Sequence, residues 1–156
     1  MTQDMSLLIA KQHVVYARCI DNGDYEDWPY FFVEDCKYVV TSDRNHREGL
    51  EAGIIWADSQ AMLIDRITAL RQANIYEFHK YRHIISHPYI LSDEDGEVRS
   101  ETSFMVVRIT RDGPMDVFAV GRYLDHYQVS DGNIKIKERI VVCDSSHFDT
   151  LLVIPL

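Results

Sequence analysis

Two spacings of hydrophobic residues divide this chain, and they change over near residue 78. In the first half, apolar residues recur every three or four positions. Leu7, Ala10, Val14 and Ala17 mark a helix over residues 6–22, which Gly23 can close. A short second helix follows, capped by Asp24, with Trp28, Phe31 and Phe32 as its apolar face and Pro29 holding it to a turn or two. Residues 37–41, with Tyr38, Val39 and Val40, read as a strand. Residues 43–53 are polar, contain Gly49 and Gly53, and read as a loop. Residues 54–57 are a brief strand. Asp58 or Ser59 then caps a further helix whose inner face is Leu63, Ile67 and Leu70.

Beyond Phe78 the period is two. Residues 81–86 are strand formers. Residues 98–110 set Thr102, Phe104, Val106 and Arg108 on one face and Ser103, Met105, Val107 and Ile109 on the other. Asp112-Gly113-Pro114 turns the chain into a second long strand, residues 117–129. Asp131-Gly132 is a hairpin signal before a third, residues 134–144, with Ile134, Ile136, Ile140 and Val142 on one face. Three long strands joined by tight turns predict a curved antiparallel sheet. The helices come first and must cover one face of it, so the fold class is α+β: a cone-shaped single domain over residues 1–156, its sheet wrapped around the N-terminal helices. No internal repeat interrupts it. Residues 150–156 are apolar, which suits a segment tucked into the fold or pressed against another chain better than a frayed end.

Composition narrows the partners. With 25 acidic and 16 basic residues the net charge is −9, which repels a phosphate backbone, and the basic residues are scattered, so nucleic acid is excluded as a partner. No apolar stretch reaches bilayer-spanning length, and Met1 to Met5 lack a signal-peptide pattern, so no membrane association and a cytoplasmic location are expected. Cys19, Cys36 and Cys143 form no Cys-x-x-Cys pair and read as three buried thiols, with one reactive thiol the alternative.

Candidate chemistry is sparse. His79, His83 and His87 are spaced by four and would share a face of a helix, as zinc ligands do. Their neighbours are strand formers, however, and four residues of strand span roughly 13 Å, too far for one ion. Neither the Cys-x-His and Cys-x-x-His pairs of a Rieske centre nor a two-His-one-carboxylate set for non-haem iron occurs. Phosphate loops and a Gly-x-Ser-x-Gly elbow are also missing. No catalytic, cofactor-binding or metal residue is therefore assigned. The interior of a cone can still hold proton-transfer chemistry, for which Tyr16, Tyr38, Asp43, His83 and Tyr123 are the candidates. The alternative is that the tyrosines are packing residues with hydroxyls bonded to backbone. An arginine in an apolar strand, such as Arg82, needs an acidic partner.

Particular segments carry a family resemblance over nearly the whole chain. They are Asp24-Tyr25-Glu26-Asp27-Trp28-Pro29, Asp35-Cys36, Asp65-Arg66-Ile67, Tyr81-Arg82-His83-Ile84, residues 118–125, Glu138-Arg139 and Cys143-Asp144-Ser145. In these the chain resembles the small (β) subunits of aromatic-ring-hydroxylating dioxygenases, the Rieske non-haem iron oxygenases. Trp56-Ala57-Asp58-Ser59-Gln60 and Ala73-Asn74-Ile75-Tyr76-Glu77 are similar to the terephthalate-oxidising branch, and salicylate 5-hydroxylase and anthranilate-type small subunits also look similar. Ser86-His87-Pro88 departs from the naphthalene and biphenyl branches. The resemblance implies a nuclear-transport-factor-2-like (SnoaL/ketosteroid-isomerase-like) fold and a non-catalytic, structural role in an α3β3 hexamer. It implies that the large (α) subunit carries a Rieske [2Fe–2S] cluster and mononuclear Fe(II), with electrons from NAD(P)H through a reductase. Arg82, His83, Leu152, Ile154 and Leu156 are the candidate subunit contacts. A reading from another class, a stand-alone cone-fold isomerase or dehydratase, remains as the alternative.

Overall fold

The computed structural model describes residues 4–50, 53–72, 79–145 and 154–156. Helix α1, Met5–Asp21, starts where the Asp4 carboxylate accepts the N–H groups of Ser6 (3.0 Å) and Leu7 (3.4 Å). Its buried face shares only Ala17 with the predicted apolar stripe. Ile9, Gln12, His13, Tyr16 and Ile20 turn inward, whereas Leu7 and Val14 are exposed, Val14 by 67%. The inward face carries polar residues because the sheet it meets offers them polar partners, a pairing that hydrophobicity alone does not register.

Tyr25–Phe31 forms a 3₁₀ segment around Pro29, without a side-chain cap from Asp24. Strand β1, Phe32–Ser42, is longer than its apolar stretch. Helix α2, Asp43–Arg47, replaces part of the predicted loop, because the Ser42 side chain accepts the Asn45 N–H (3.1 Å) and Arg47 pairs with Asp43 (3.0 Å). Strand β2 is Ile55–Ala57. Helix α3, Gln60–Gln72, is capped by the Ser59 hydroxyl, which accepts the Met62 N–H (3.2 Å), and it buries the expected Leu63, Ile67 and Leu70. Five strands complete the chain: β3 His79–Ile85, β4 Tyr89–Glu94, β5 Glu97–Thr110, β6 Met115–Ser130 and β7 Asn133–Cys143.

All seven strands form one curved, unclosed sheet, six of them in the order β2-β1-β7-β6-β5-β3 and β4 beside β5. Strands β3 and β4 pair with successive lengths of β5. Every pairing is antiparallel except β1 with β7, which is parallel and corrects the all-antiparallel expectation. Two bulges bend the long strands. One lies where Val106 faces Ala119 but Val107 faces Val117, so that Phe118 is the extra residue. The other lies where Tyr127 faces Ile136 but His126 faces Glu138, so that Lys137 is extra. Each increases the local twist, which wraps the sheet around α1.

The second bulge also changes which residues of β7 look inward. Ile136 is buried before it, and Arg139, Val141 and Cys143 after it. Ile140 therefore does not share a face with Ile136, because one extra residue reverses every side chain beyond it. On the inner face, Gly121 of β6 sits between Phe104 and Cys143. A Cβ there would lie 2.0 Å from the Val142 carbonyl oxygen, so the position is closed to any side chain. Nearby, the rings of Phe104 and Tyr123 stack with 4.5 Å between centroids.

Candidate functional site

Arg139 is the centre of the interior. Its Nε donates to Asp125 Oδ1 (2.8 Å) and its Nη2 to Asp125 Oδ2 (3.0 Å), a bidentate pair between facing positions of β6 and β7. Both side chains are fully buried. The guanidinium carbon lies 4.3 Å from the ring centroids of both Tyr16 and Tyr123. Arg139 Nη2 also donates to the Tyr127 hydroxyl (3.0 Å), which in turn donates to Asp125 Oδ2 (2.8 Å). His13 of α1 completes the cluster. Arginine can only donate, so His13 Nδ1, 3.4 Å from Arg139 Nη2, is the acceptor and Nε2–H donates to Thr102 Oγ1 (3.3 Å).

Burial, and then the Arg139 charge, push His13 down to about 3. Burial raises Tyr16, Tyr123 and Tyr127 above the ordinary phenol value. The cluster holds its charges fixed near neutral pH and offers no group poised for proton transfer there. It has a measurable consequence. His13 is neutral in the fold but takes up a proton below about pH 6.5 when unfolded, so its contribution to stability is complete above 6.5 and lost as pH falls towards 3. In urea unfolding between pH 7 and 5.5, above the carboxylate range, stability is expected to fall with a shallower slope in His13→Gln than in the wild type. Equal slopes would contradict this assignment.

The apolar tail is tied to the same interior. The Tyr16 hydroxyl donates to the Leu156 carbonyl (2.7 Å) and accepts from Trp28 Nε1 (3.0 Å). The Tyr38 hydroxyl donates to the same carbonyl (3.2 Å) and accepts the Leu156 N–H (3.1 Å). Ile154 and Leu156, two of the candidate subunit contacts, are buried in the chain's own core. Leu152 lies outside the described residues. Of the proton-transfer candidates, Tyr16, Tyr38 and Tyr123 are core residues. Asp43 is not, since it lies on α2, paired with Arg47 and, at 3.6 Å, with Arg122. All three thiols are buried, and burial pushes Cys19 and Cys143 up to about 12 and Cys36 to about 11, which keeps them protonated.

Arg82 and His83, neighbours in sequence, part company in space. Arg82 is exposed on edge strand β3. His83 is buried against the last turn of α1, where Asp21 accepts its backbone N–H (2.9 Å) through Oδ2 and meets its Nδ1 (2.7 Å) through Oδ1. Asp21 thereby covers a strand edge that would otherwise stay open. The other ring nitrogen, Nε2, is buried and has no hydrogen-bond partner among the described residues. Among the described residues no group of three or more His, Cys, Asp or Glu is placed to hold a metal ion.

The outer face of the sheet is apolar over several strands. Exposed Ile84 faces Met105, which faces exposed Val120, and Val117 and Met115 extend the patch along β6. Large exposed apolar residues of this kind mark a protein contact more often than a solvated face.

These features meet in one group of known proteins. The family model of the ring hydroxylating beta subunit matches residues 16–150. The chain belongs to this family. The β subunit is 53% identical to the terephthalate 1,2-dioxygenase terminal oxygenase component subunit beta 2 of a Comamonas species, covering 95% of this chain and 96% of that one. It is 38% identical to the anthranilate 1,2-dioxygenase small subunit of Burkholderia cepacia, over 90% and 88% of the two chains. A solved protein from Novosphingobium aromaticivorans, described as the β subunit of an aromatic-ring-hydroxylating dioxygenase, superposes with a TM-score of 0.90 at 34% identity, covering 97% of both chains. A protein from the same organism described as a scytalone dehydratase shares the fold alone, with a TM-score of 0.71 at 16% identity over 94% and 89%. This β subunit is thus a component of an oxidoreductase system, it has the cone-shaped nuclear-transport-factor-2-like fold, and it has a large oxygenase subunit as its partner. No helix among its described residues is long and apolar enough to cross a membrane.

Proposed function

We propose that this β subunit is the non-catalytic body of a terminal oxygenase that dihydroxylates an aromatic carboxylate, terephthalate first among the substrates to be tried. The identity of 53% across 96% of a terephthalate dioxygenase β subunit carries this reading, and the anthranilate-type relative stands lower at 38%. The large subunits hold the Rieske [2Fe–2S] cluster, the mononuclear Fe(II) and the substrate. A reductase passes electrons to them from NAD(P)H, three small subunits support three large ones, and the complex works in the cytoplasm. The donor set of the small subunit suits this division of labour. Its three cysteines sit on α1, β1 and β7, each protonated by burial, and both oxygens of the interior Asp125 carboxylate are taken by Arg139.

The dehydratase reading has one observation in its favour, the Asp21–His83 pair with an unoccupied Nε2. Substrate-dependent oxygen uptake separates the two readings. The small subunit co-expressed with its large subunit and reductase is expected to consume oxygen with terephthalate, and less or not at all with anthranilate or salicylate. The isolated small subunit is expected to transform none of them, and His83→Ala to change nothing in that isolated assay. Turnover by the isolated chain that His83→Ala abolishes, with its fold intact, would instead establish the dehydratase reading.

A further inference from the structure

Between α1 and the edge strand β3 lies a groove of about 440 Å³, and its chemistry is unlike that of the rest of the molecule. The chain as a whole carries a charge of −9. Arg18 from α1 and Arg82 from β3 nevertheless line this groove together with His83 and His87, while Asp21 is its one acidic lining residue among the described residues. Asp21 is already engaged with His83 through both carboxylate oxygens. Neither Arg18 nor Arg82 has an acidic partner among the described residues.

His83 makes the groove more than a cationic patch. Its side chain is 0% exposed, its Nδ1 is fixed by Asp21, and its Nε2 is left without a hydrogen-bond partner among the described residues. It is one of several such buried atoms in the chain, and the one whose residue lines this groove between two arginines. Exposed Val14, on the α1 wall of the groove, adds apolar surface that a small ion would leave wet but a protein segment would cover.

We infer that this groove is a docking socket for a carboxylate side chain, Asp or Glu, of the large oxygenase subunit. The carboxylate would accept from Arg18 and Arg82 at the mouth, with the His83 ring beneath it and Asp21 holding that ring from behind. The side chain carrying it would rest on Val14. The inference rests on the proposed assembly with a large subunit and identifies one contact within it. Charge-assisted contacts of this kind are strong when sheltered from water, and a buried one is costly to break from one side only.

Binding of the purified large subunit to small-subunit variants tests it, with the thermal midpoint of each isolated small subunit as the folding control. In His83→Asn the amide can still donate to Asp21, but nothing replaces the ring beneath the carboxylate, so affinity is expected to fall at least tenfold with the midpoint close to that of the wild type. Arg18→Glu with Arg82→Glu, both at exposed positions, is expected to fall further, and to recover when one acidic residue of the large subunit is changed to arginine. Wild-type affinity in both variants would overturn the socket while leaving the assembly intact. Failure of the wild-type chain itself to bind would overturn the proposed function first. Calorimetric binding of terephthalate to the isolated subunit, lost in Arg18→Glu with Arg82→Glu, would make the groove a small-molecule site and overturn the docking proposal.

Discussion

Arg139→Ala is expected to lower the thermal midpoint of the isolated subunit by on the order of 10 °C. The substitution leaves the Asp125 carboxylate charged and fully buried, with only the Tyr127 hydroxyl donating to it. Breaking a buried ion pair from one side costs about 3–5 kcal/mol. In a domain of this size each kcal/mol corresponds to roughly 2–4 °C. Two aromatic rings, Tyr16 and Tyr123, lose the guanidinium between them as well. The pair itself is a weaker source of stability than the loss of one partner suggests, because desolvating both charges offsets most of their attraction. Arg139→Met combined with Asp125→Leu is therefore expected to recover most of the lost midpoint. A double variant as unstable as Arg139→Ala would show that the hydrogen bonds to Tyr127 and His13, rather than the charge balance, hold the interior.

Ile154→Asp is expected to leave most of the isolated subunit unfolded. Ile154 is 2% exposed, and removing a side chain of its size from a core costs roughly 2–5 kcal/mol by itself. The carboxylate adds a desolvation penalty. Residues 154–156 also bring the Leu156 backbone to the Tyr16 and Tyr38 hydroxyls, so displacing them strands those hydroxyls in the core. Circular dichroism and thermal unfolding of the isolated subunit separate two roles for this segment. Loss of assembly together with loss of fold is the expected pattern. An isolated Ile154→Asp subunit with a wild-type midpoint that nevertheless failed to join the large subunit would place the segment at the interface.

Much of the fold is written in local patterns. The change from a helical period to an alternating one near residue 78 separates the helices from the long strands, and Asp131-Gly132 marks its hairpin. The Ser59 cap and the Leu63, Ile67 and Leu70 face of α3 are equally local. What escaped is what depends on partners far away in sequence. Val14 and Leu7 have the right spacing for a core face, yet α1 turns His13 and Gln12 inward because Thr102, Arg139 and the Ile134 carbonyl wait there. Arg139 escaped for a related reason. Continuing the hairpin from Ser130 and Asn133 without interruption sets Asp125 opposite Glu138, a repulsive pair. The extra residue at Lys137 sets it opposite Arg139 instead. A mismatched charge pair in an otherwise regular register was the signal available, and it pointed to the bulge. The rule that a buried arginine needs an acid held, but it applied to Arg139 and not to the exposed Arg82.

The candidate site was legible in part. His83 was singled out, while Asp21, which fixes it, lies 62 positions away at the end of a helix with no local mark of its role. The three cysteines, which form no Cys-x-x-Cys pair, were read as buried thiols, and all three are buried. Family membership was legible because its segments are spread over nearly the whole chain, and the matched region of residues 16–150 contains most of them.

The division of labour between a scaffold chain and an iron-bearing partner is tested most directly by native mass spectrometry of the two subunits purified together, with iron counted in each released chain. The expected result is one complex of equal numbers of large and small subunits, three of each, with all iron and acid-labile sulfide on the large subunit. A small subunit that stays apart from its large neighbour, or that carries iron itself, would contradict the structural role assigned to it.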